Sequence, residues 1–192
     1  AGGGVTALRK VVQAQLQQRD MRGASETLDT LRRSGARSED VMLVQSIIFL
    51  DTGELEKAKL LLNAADDSPQ KHYGLALYSI ITSQHDDAKK HLALTQAGWD
   101  PVLRSYAQTL LEAYDTYALF PDSPPLHLQT LLARALAQVQ QCELALPILS
   151  SVTRAQDDYR DAWITRGFCE LTTNRPTDAL ASLERAYQLD PE

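Results

Sequence analysis

Apolar and polar positions along this chain recur with a helical period. From Asp161 to Leu171 apolar residues return every three or four positions, and a polar turn follows at Thr173-Asn174-Arg175-Pro176. A second amphipathic segment runs from Thr177 to Leu189, with an inner stripe of Ala179, Leu183, Ala186 and Tyr187. Steps of four, three and one place that stripe on one helix face. Asp190-Pro191 ends it, because proline does not continue a helix. The pattern predicts a helix-turn-helix of about 34 residues, the length of one tandem helical repeat.

Shifting back by about 34 residues brings Ala179 onto Ala145, Leu183 onto Leu149 and Gly167 onto Ala133. Small falls on small and large on large. Leu126–Gln140 and Glu143–Val152 supply that earlier pair, with Pro147 read as lying early in the second helix, where its lost donor costs least. In the N-terminal half Ala58, Leu62 and Ala65 fall on Ala24, Leu28 and Leu31. Helices are expected near Glu39–Leu50 and Leu55–Ala65, with Gly53 supplying a left-handed residue at the helix end. Asp20-Met21-Arg22 is the equivalent turn one unit earlier, and a third unit covers Gln70–Ile81 and Asp86–Gln96 with Ala88 and Leu92 as anchors. Ala24, Ala58, Ala88, Ala145 and Ala179 mark close crossings, since bulk there would push helix axes beyond roughly 8–10 Å.

The segment 98–123 interrupts the register. Asp100 caps a helix that has Pro101 in its first position and the stripe Leu103, Tyr106, Ala107, Leu110, Tyr114 and Tyr117. The run Phe120-Pro121-Asp122-Ser123-Pro124-Pro125 breaks it. This element reads either as a diverged repeat packed like its neighbours or as a bracing or hinge helix. The expected organisation is 1–97, 98–123 and 124–192.

The positions Trp163, Gly167, Ala179, Leu183, Ala186 and Pro191, and in the second unit Ser46, Phe49, Gly53, Leu55, Ala58, Leu62 and Ala65, resemble the tetratricopeptide repeat pattern. The resemblance covers roughly 5–97 and 124–192, and departs at Glu170, where the pattern has an aromatic. It implies an all-α, right-handed superhelical solenoid of about five stacked antiparallel helix pairs. It also implies a concave face lined by the first helix of each pair. Carried over, that face holds Arg9, Lys10 and Gln13, then Leu43, Val44, Ile47 and Leu50, then Tyr73, Leu77, Ile80 and Ile81. Thr130, Leu131 and Arg134 follow, and Ile164, Thr165, Phe168 and Leu171 complete it. The groove candidates are Leu43, Val44, Ile47, Tyr73, Leu77, Ile81, Arg134, Ile164 and Phe168. If this groove is open, Val44→Asp with Leu77→Asp abolishes partner capture and leaves helicity intact. One subgroup of the family clamps acidic chaperone tails; the corresponding positions here are Arg9, Gln13, Val44, Gln70 and Gly74, of which only Arg9 is a suitable cation.

Composition supports the helical reading. Only 9 Gly and 8 Pro occur, and no alternating stretch carries a hairpin signal. With 44% hydrophobic and 23% charged residues the chain is unlike a disordered one. Its 19 Lys and Arg against 25 Asp and Glu give −6, a poor match for a phosphate backbone, so no nucleic-acid partner is expected. No apolar run approaches ~18 residues, so no membrane insertion is expected. Ala1-Gly2-Gly3-Gly4 leads into no apolar signal region, and with no disulfide framework the cytoplasm is the favoured compartment.

Catalytic chemistry is scarce. The four His are His72, His85, His91 and His127, and the spacing of His85 and His91 does not place two ligands on one helix face. No nucleophile elbow or phosphate loop occurs. Cys142 and Cys169 each sit inside a repeat and read as buried packing. The expectation is a non-enzymatic scaffold without metal or cofactor, holding a peptide or an amphipathic helix of a protein partner in a partly apolar groove. The alternatives are a homo-oligomerisation module and the regulatory domain of a larger protein.

Overall fold

The computed structural model describes residues 11, 12, 14, 15 and 20–190. Arg9, Lys10, Gln13, Ala1 to Gly4 and Pro191 lie outside them. Ten helices are delimited among the described residues: α1 Met21–Arg33, α2 Ser38–Asp51, α3 Leu55–Ala64, α4 Pro69–Ile81, α5 His85–Gln96, α6 Pro101–Ala118, α7 Pro125–Gln138, α8 Cys142–Ala155, α9 Arg160–Thr172 and α10 Pro176–Leu189.

One turn recurs between the two helices of each pair. Gly53, Ser83, Gln140 and Asn174 adopt left-handed backbone, with φ of 76°, 58°, 64° and 60°. The next residue's N–H reaches back to the last turn of the first helix: Glu54 to Phe49, Gln84 to Ser79, Gln141 to Leu136 and Arg175 to Glu170, each at 2.8 Å. The left-handed residue itself bonds the carbonyl of Leu50, Ile80, Ala137 or Leu171. This is the Schellman arrangement, which satisfies carbonyls that a helix end leaves orphaned. In three turns a threonine hydroxyl closes one more, Thr52 on Ile48, Thr82 on Tyr78 and Thr173 on Cys169. The glycine at position 53 is legible as such a turn; at Ser83 and Gln140 the same geometry is imposed on residues that favour it less.

Five residues after each left-handed residue comes the anchor alanine. Ala58, Ala88 and Ala145 are fully buried and Ala179 nearly so, as is Ala24. The equivalent positions of the first helices hold Ser46, Ala76, Ala133 and Gly167, also buried and small. The fit leaves no room: a Cβ on Gly167 would lie 2.7 Å from Leu183 Cγ and 3.3 Å from the Ala179 carbonyl. Ala58, Ala88, Ala145 and Ala179 are therefore equivalent in both burial and turn geometry.

The chain divides into two compact units, 1–111 and 112–192. In the first, α2 packs on α3, α4 on α5, and α4 also lies against both α2 and α3. In the second, α7 packs on α8, α9 on α10, and α9 lies against both α7 and α8. Each unit thus layers helix pairs in chain order. The helix predicted within 98–123 is α6, and the Asp100 carboxylate caps it by accepting from the N–H groups of Val102 (3.0 Å) and Leu103 (3.1 Å). Ser68 does the same for α4, accepting from Lys71 N–H ahead of Pro69. Pro147 differs from expectation: α8 starts at Cys142, so Pro147 sits beyond the first four donors, where the helix does lose a bond.

Ala179→Trp is expected to destabilise the chain by about 1–3 kcal/mol, read as a lowered urea midpoint with the far-ultraviolet spectrum retained. Gln140→Gly is expected to raise stability by about 0.5–1 kcal/mol in the same measurement, because it relieves a left-handed side-chain residue.

Candidate partner-binding site

In the first unit most of the expected groove is core. Leu43 and Val44 are buried, and Tyr73 and Leu77 are enclosed at 1% and 0% exposure. Ile47 and Ile81 are half-buried. The Tyr73 ring meets that of Tyr106, with centres 6.0 Å apart. Carboxylates at positions 44 and 77 would therefore enter the interior, and the expectation that such a variant keeps its helicity is reversed. Helical periodicity shows which face of a helix is apolar; it does not show whether a further layer covers that face.

The starts of α2, α4 and α6 are joined by a buried polar chain. Gln70 is fully buried, and its amide donates to Asp40 Oδ1 (3.0 Å) and Asp100 Oδ2 (3.4 Å). Arg37 Nη2 pairs with Asp40 Oδ2 at 3.2 Å, and its guanidinium lies 4.0 Å from the centre of the Trp99 ring. Gln70 is one of the positions compared with the chaperone-tail clamp. Here its amide serves two carboxylates of neighbouring helix starts.

The second unit shows a different surface. Arg134 is exposed on α7. On α9, Ile164, Phe168 (53% exposed) and Leu171 form an outward apolar stripe at i, i+4 and i+7, while Ala162, Thr165 and Cys169 face inward. On α10, Leu180, Leu183 and Tyr187 form another, at 60%, 41% and 65% exposure. Of the inner stripe expected on this helix, Ala179 and Ala186 are buried and Leu183 packs on Gly167 with 41% of its surface exposed, whereas Tyr187 lies toward solvent, a correction. One repeat earlier the corresponding Leu146, Leu149 and Thr153 on α8 are buried. Arg166 of α9 donates to Thr153 Oγ1 at 3.1 Å, so α9 lies over that part of α8. The signal for the missed α10 stripe is this offset, which becomes meaningful only once burial is known.

Glu170 is likewise explained. Its buried carboxylate accepts from Arg166 Nε at 2.8 Å and from Ser182 Oγ at 2.6 Å. An ion pair with a hydroxyl replaces the aromatic of the family pattern, a buried charge tolerated because it is paired.

Of the histidines, His72 and His91 meet at Nδ1 to Nδ1, 3.0 Å apart, and His72 Nε2 contacts Asp67 Oδ1 at 2.8 Å. With the His72 proton on Nε2 toward that carboxylate, His72 Nδ1 accepts and His91 Nδ1 donates. His127 Nδ1 pairs with the Tyr159 hydroxyl at 2.8 Å. Among the described residues no group of three or more His, Cys, Asp or Glu side chains could hold a metal ion, and no helix is long and apolar enough to cross a membrane. Cys142 and Cys169 are both buried, as expected.

Residues 130–192, which contain α8, α9 and α10 and much of α7, match the family model described as tetratricopeptide repeat. Over that span the chain is similar to tetratricopeptide repeats. The match covers Arg134, Ile164 and Phe168, and the layered helix pairs of both units follow the same plan. No curated protein matches the chain. Among solved structures, one described as "Crystal structure of MamA protein" is 12% identical, covering 100% of this chain and 94% of that one, with a TM-score of 0.34. One described as "Crystal structure of YrrB: a TPR protein with an unusual peptide-binding site" is 14% identical, covering 96% of this chain and 86% of that one, with a TM-score of 0.35.

His91 is held below its ordinary value of 6.5, first by burial and then by His72 beside it; His85 is lowered in the same sense by burial. On acidification the unfolded chain therefore takes up protons first, and stability falls as pH drops below about 6.5. The loss is expected to stay under about 1 kcal/mol, because His91 is partly solvated and water screens its interactions. Urea midpoints at pH 7 and pH 5 should differ less for His91→Gln than for the parent chain.

Proposed function

We propose that this tetratricopeptide repeat chain is a non-enzymatic scaffold that holds a peptide or an amphipathic helix of a protein partner. The observation that carries this reading is the outward stripe of Ile164, Phe168 and Leu171 on α9. Three large apolar side chains at helical spacing on the surface of a well-packed pair lower the free energy only when something covers them. Their spacing suits a partner whose own apolar residues recur every three or four positions, or an extended segment with alternate anchors. Arg134, exposed on α7, adds a cation for an acidic group on that partner. In the first unit only Ile47 and Ile81 of the proposed groove retain accessible surface.

A second reading has its own observation. The α10 stripe of Leu180, Leu183 and Tyr187 corresponds to α8 residues that a neighbouring first helix covers. A helix of that type from another copy would bury it in the same way, giving self-association.

The two readings separate by substitution. Ile164→Asp with Phe168→Asp is expected to abolish capture of a partner from native lysate while circular dichroism is unchanged. Leu180→Asp with Tyr187→Asp is expected to leave that capture intact. If the chain self-associates, the α10 variant removes the concentration dependence of its light-scattering mass. Capture that survives the α9 variant overturns the scaffold reading at this surface.

A further inference from the structure

The exposed stripes of α9 and α10 adjoin. Leu183 of α10 packs on Gly167 of α9. Ile164 and Leu171 lie three residues before and four after that glycine, and Leu180 and Tyr187 stand in the same relation to Leu183, so each set shares its helix side with the contact. Each stripe covers two helical turns, about 10 Å, and the two match in length. With Phe168 they leave six large side chains about half exposed. At roughly 200 Å² for a large residue, the face offers on the order of 600 Å² of apolar surface. That is the upper end of the patch a monomer carries, and two such faces together reach the ~1,200 Å² at which specific interfaces begin.

One repeat earlier the same positions show how such a face is covered. Thr130 and Ala137 on α7 and Leu146, Leu149 and Thr153 on α8 are buried, and α9 lies against both helices. The contact already present in this unit is thus a first helix laid across a pair. On α10, Leu180, Leu183 and Tyr187 line an open depression together with Glu184 and Gln188. Of the two first helices in this unit, α7 holds Thr130, Arg134 and Ala137 at the stripe positions, whereas α9 holds large apolar residues.

We propose that this face closes on the same face of a second copy about a two-fold axis, α9 of each copy lying on α10 of the other, with Phe168 of one copy in the α10 depression of its mate. The proposal rests on the self-association reading above and names the occupant, the outward side of α9. Two-fold apposition covers both stripes of both copies at once, which head-to-tail stacking does not. A half-exposed aromatic entering an apolar depression supplies the anchor such a contact needs. The dimer covers the stripe that α9 offers to a partner helix, so self-association and partner capture exclude each other at Ile164, Phe168 and Leu171.

The test follows the full chain by light scattering over a concentration series. Its mass is expected to rise from 21.3 kDa to twice that value and stop. Phe168→Asp and Tyr187→Lys, each alone, are expected to raise the midpoint concentration at least about tenfold, with circular dichroism unchanged. Mixed in equal amounts, the two variants are expected to recover the dimer: one half of the interface gains an Asp–Lys pair and the other keeps Phe168 against Tyr187. Leu60→Asp, at an exposed leucine of α3, is expected to leave the dimer intact. A mass of one chain at every concentration overturns both the proposal and the self-association reading. A dimer that Tyr187→Lys removes but Phe168→Asp does not, a mass that climbs past two copies, or a mixture no better than its components overturns the proposal alone. If Tyr187→Lys loses the helical spectrum, Leu180→Lys takes its place in the same mixture.

Discussion

Paired helices in this chain must approach closely, and the layering of each unit follows from that approach. Buried alanines recur on the second helices and buried serine, alanine or glycine on the first, and at Gly167 an added carbon would meet Leu183 and the Ala179 carbonyl. Helix axes can then nest at the short end of the usual separation, and leucine at the next turn fills the layer. The left-handed turn five residues before each anchor fixes where the second helix begins. Turn and crossing therefore act together: the turn sets the register and the small residues make that register packable. Both recur after Gly53, Ser83, Gln140 and Asn174, so the repeat holds in geometry even where its spacing slips.

Two buried polar networks tie helices of each unit together. Gln70 between Asp40 and Asp100 ties together the starts of three helices of one unit, and Arg37 completes the pairing at Asp40. Glu170 with Arg166 and Ser182 does the corresponding work in the other unit. Such networks add little net stability over apolar packing, but a misaligned layer would leave a buried charge unpaired, so they penalise the wrong register. In the second unit, α9 and α10 each present exposed apolar side chains.

The helices and their pairing are written in the order of the residues. Ala, Leu and polar residues at a helical period set α2 to α5 and α7 to α10 within a residue or two, except the end of α8, and Asp100-Pro101 marks the start of α6. That information is local, carried by the periodicity and the caps, so one chain of letters suffices to read it. Burial is a property of layers, and it waits for the packed molecule. Leu77 and Phe168 occupy the same place on first helices, yet one is enclosed and the other half in water. Leu183 and Leu149 share a repeat position and divide in the same way. Side-chain spacing along a helix says which residues share a face; only the arrangement of neighbouring helices says whether that face meets protein or solvent.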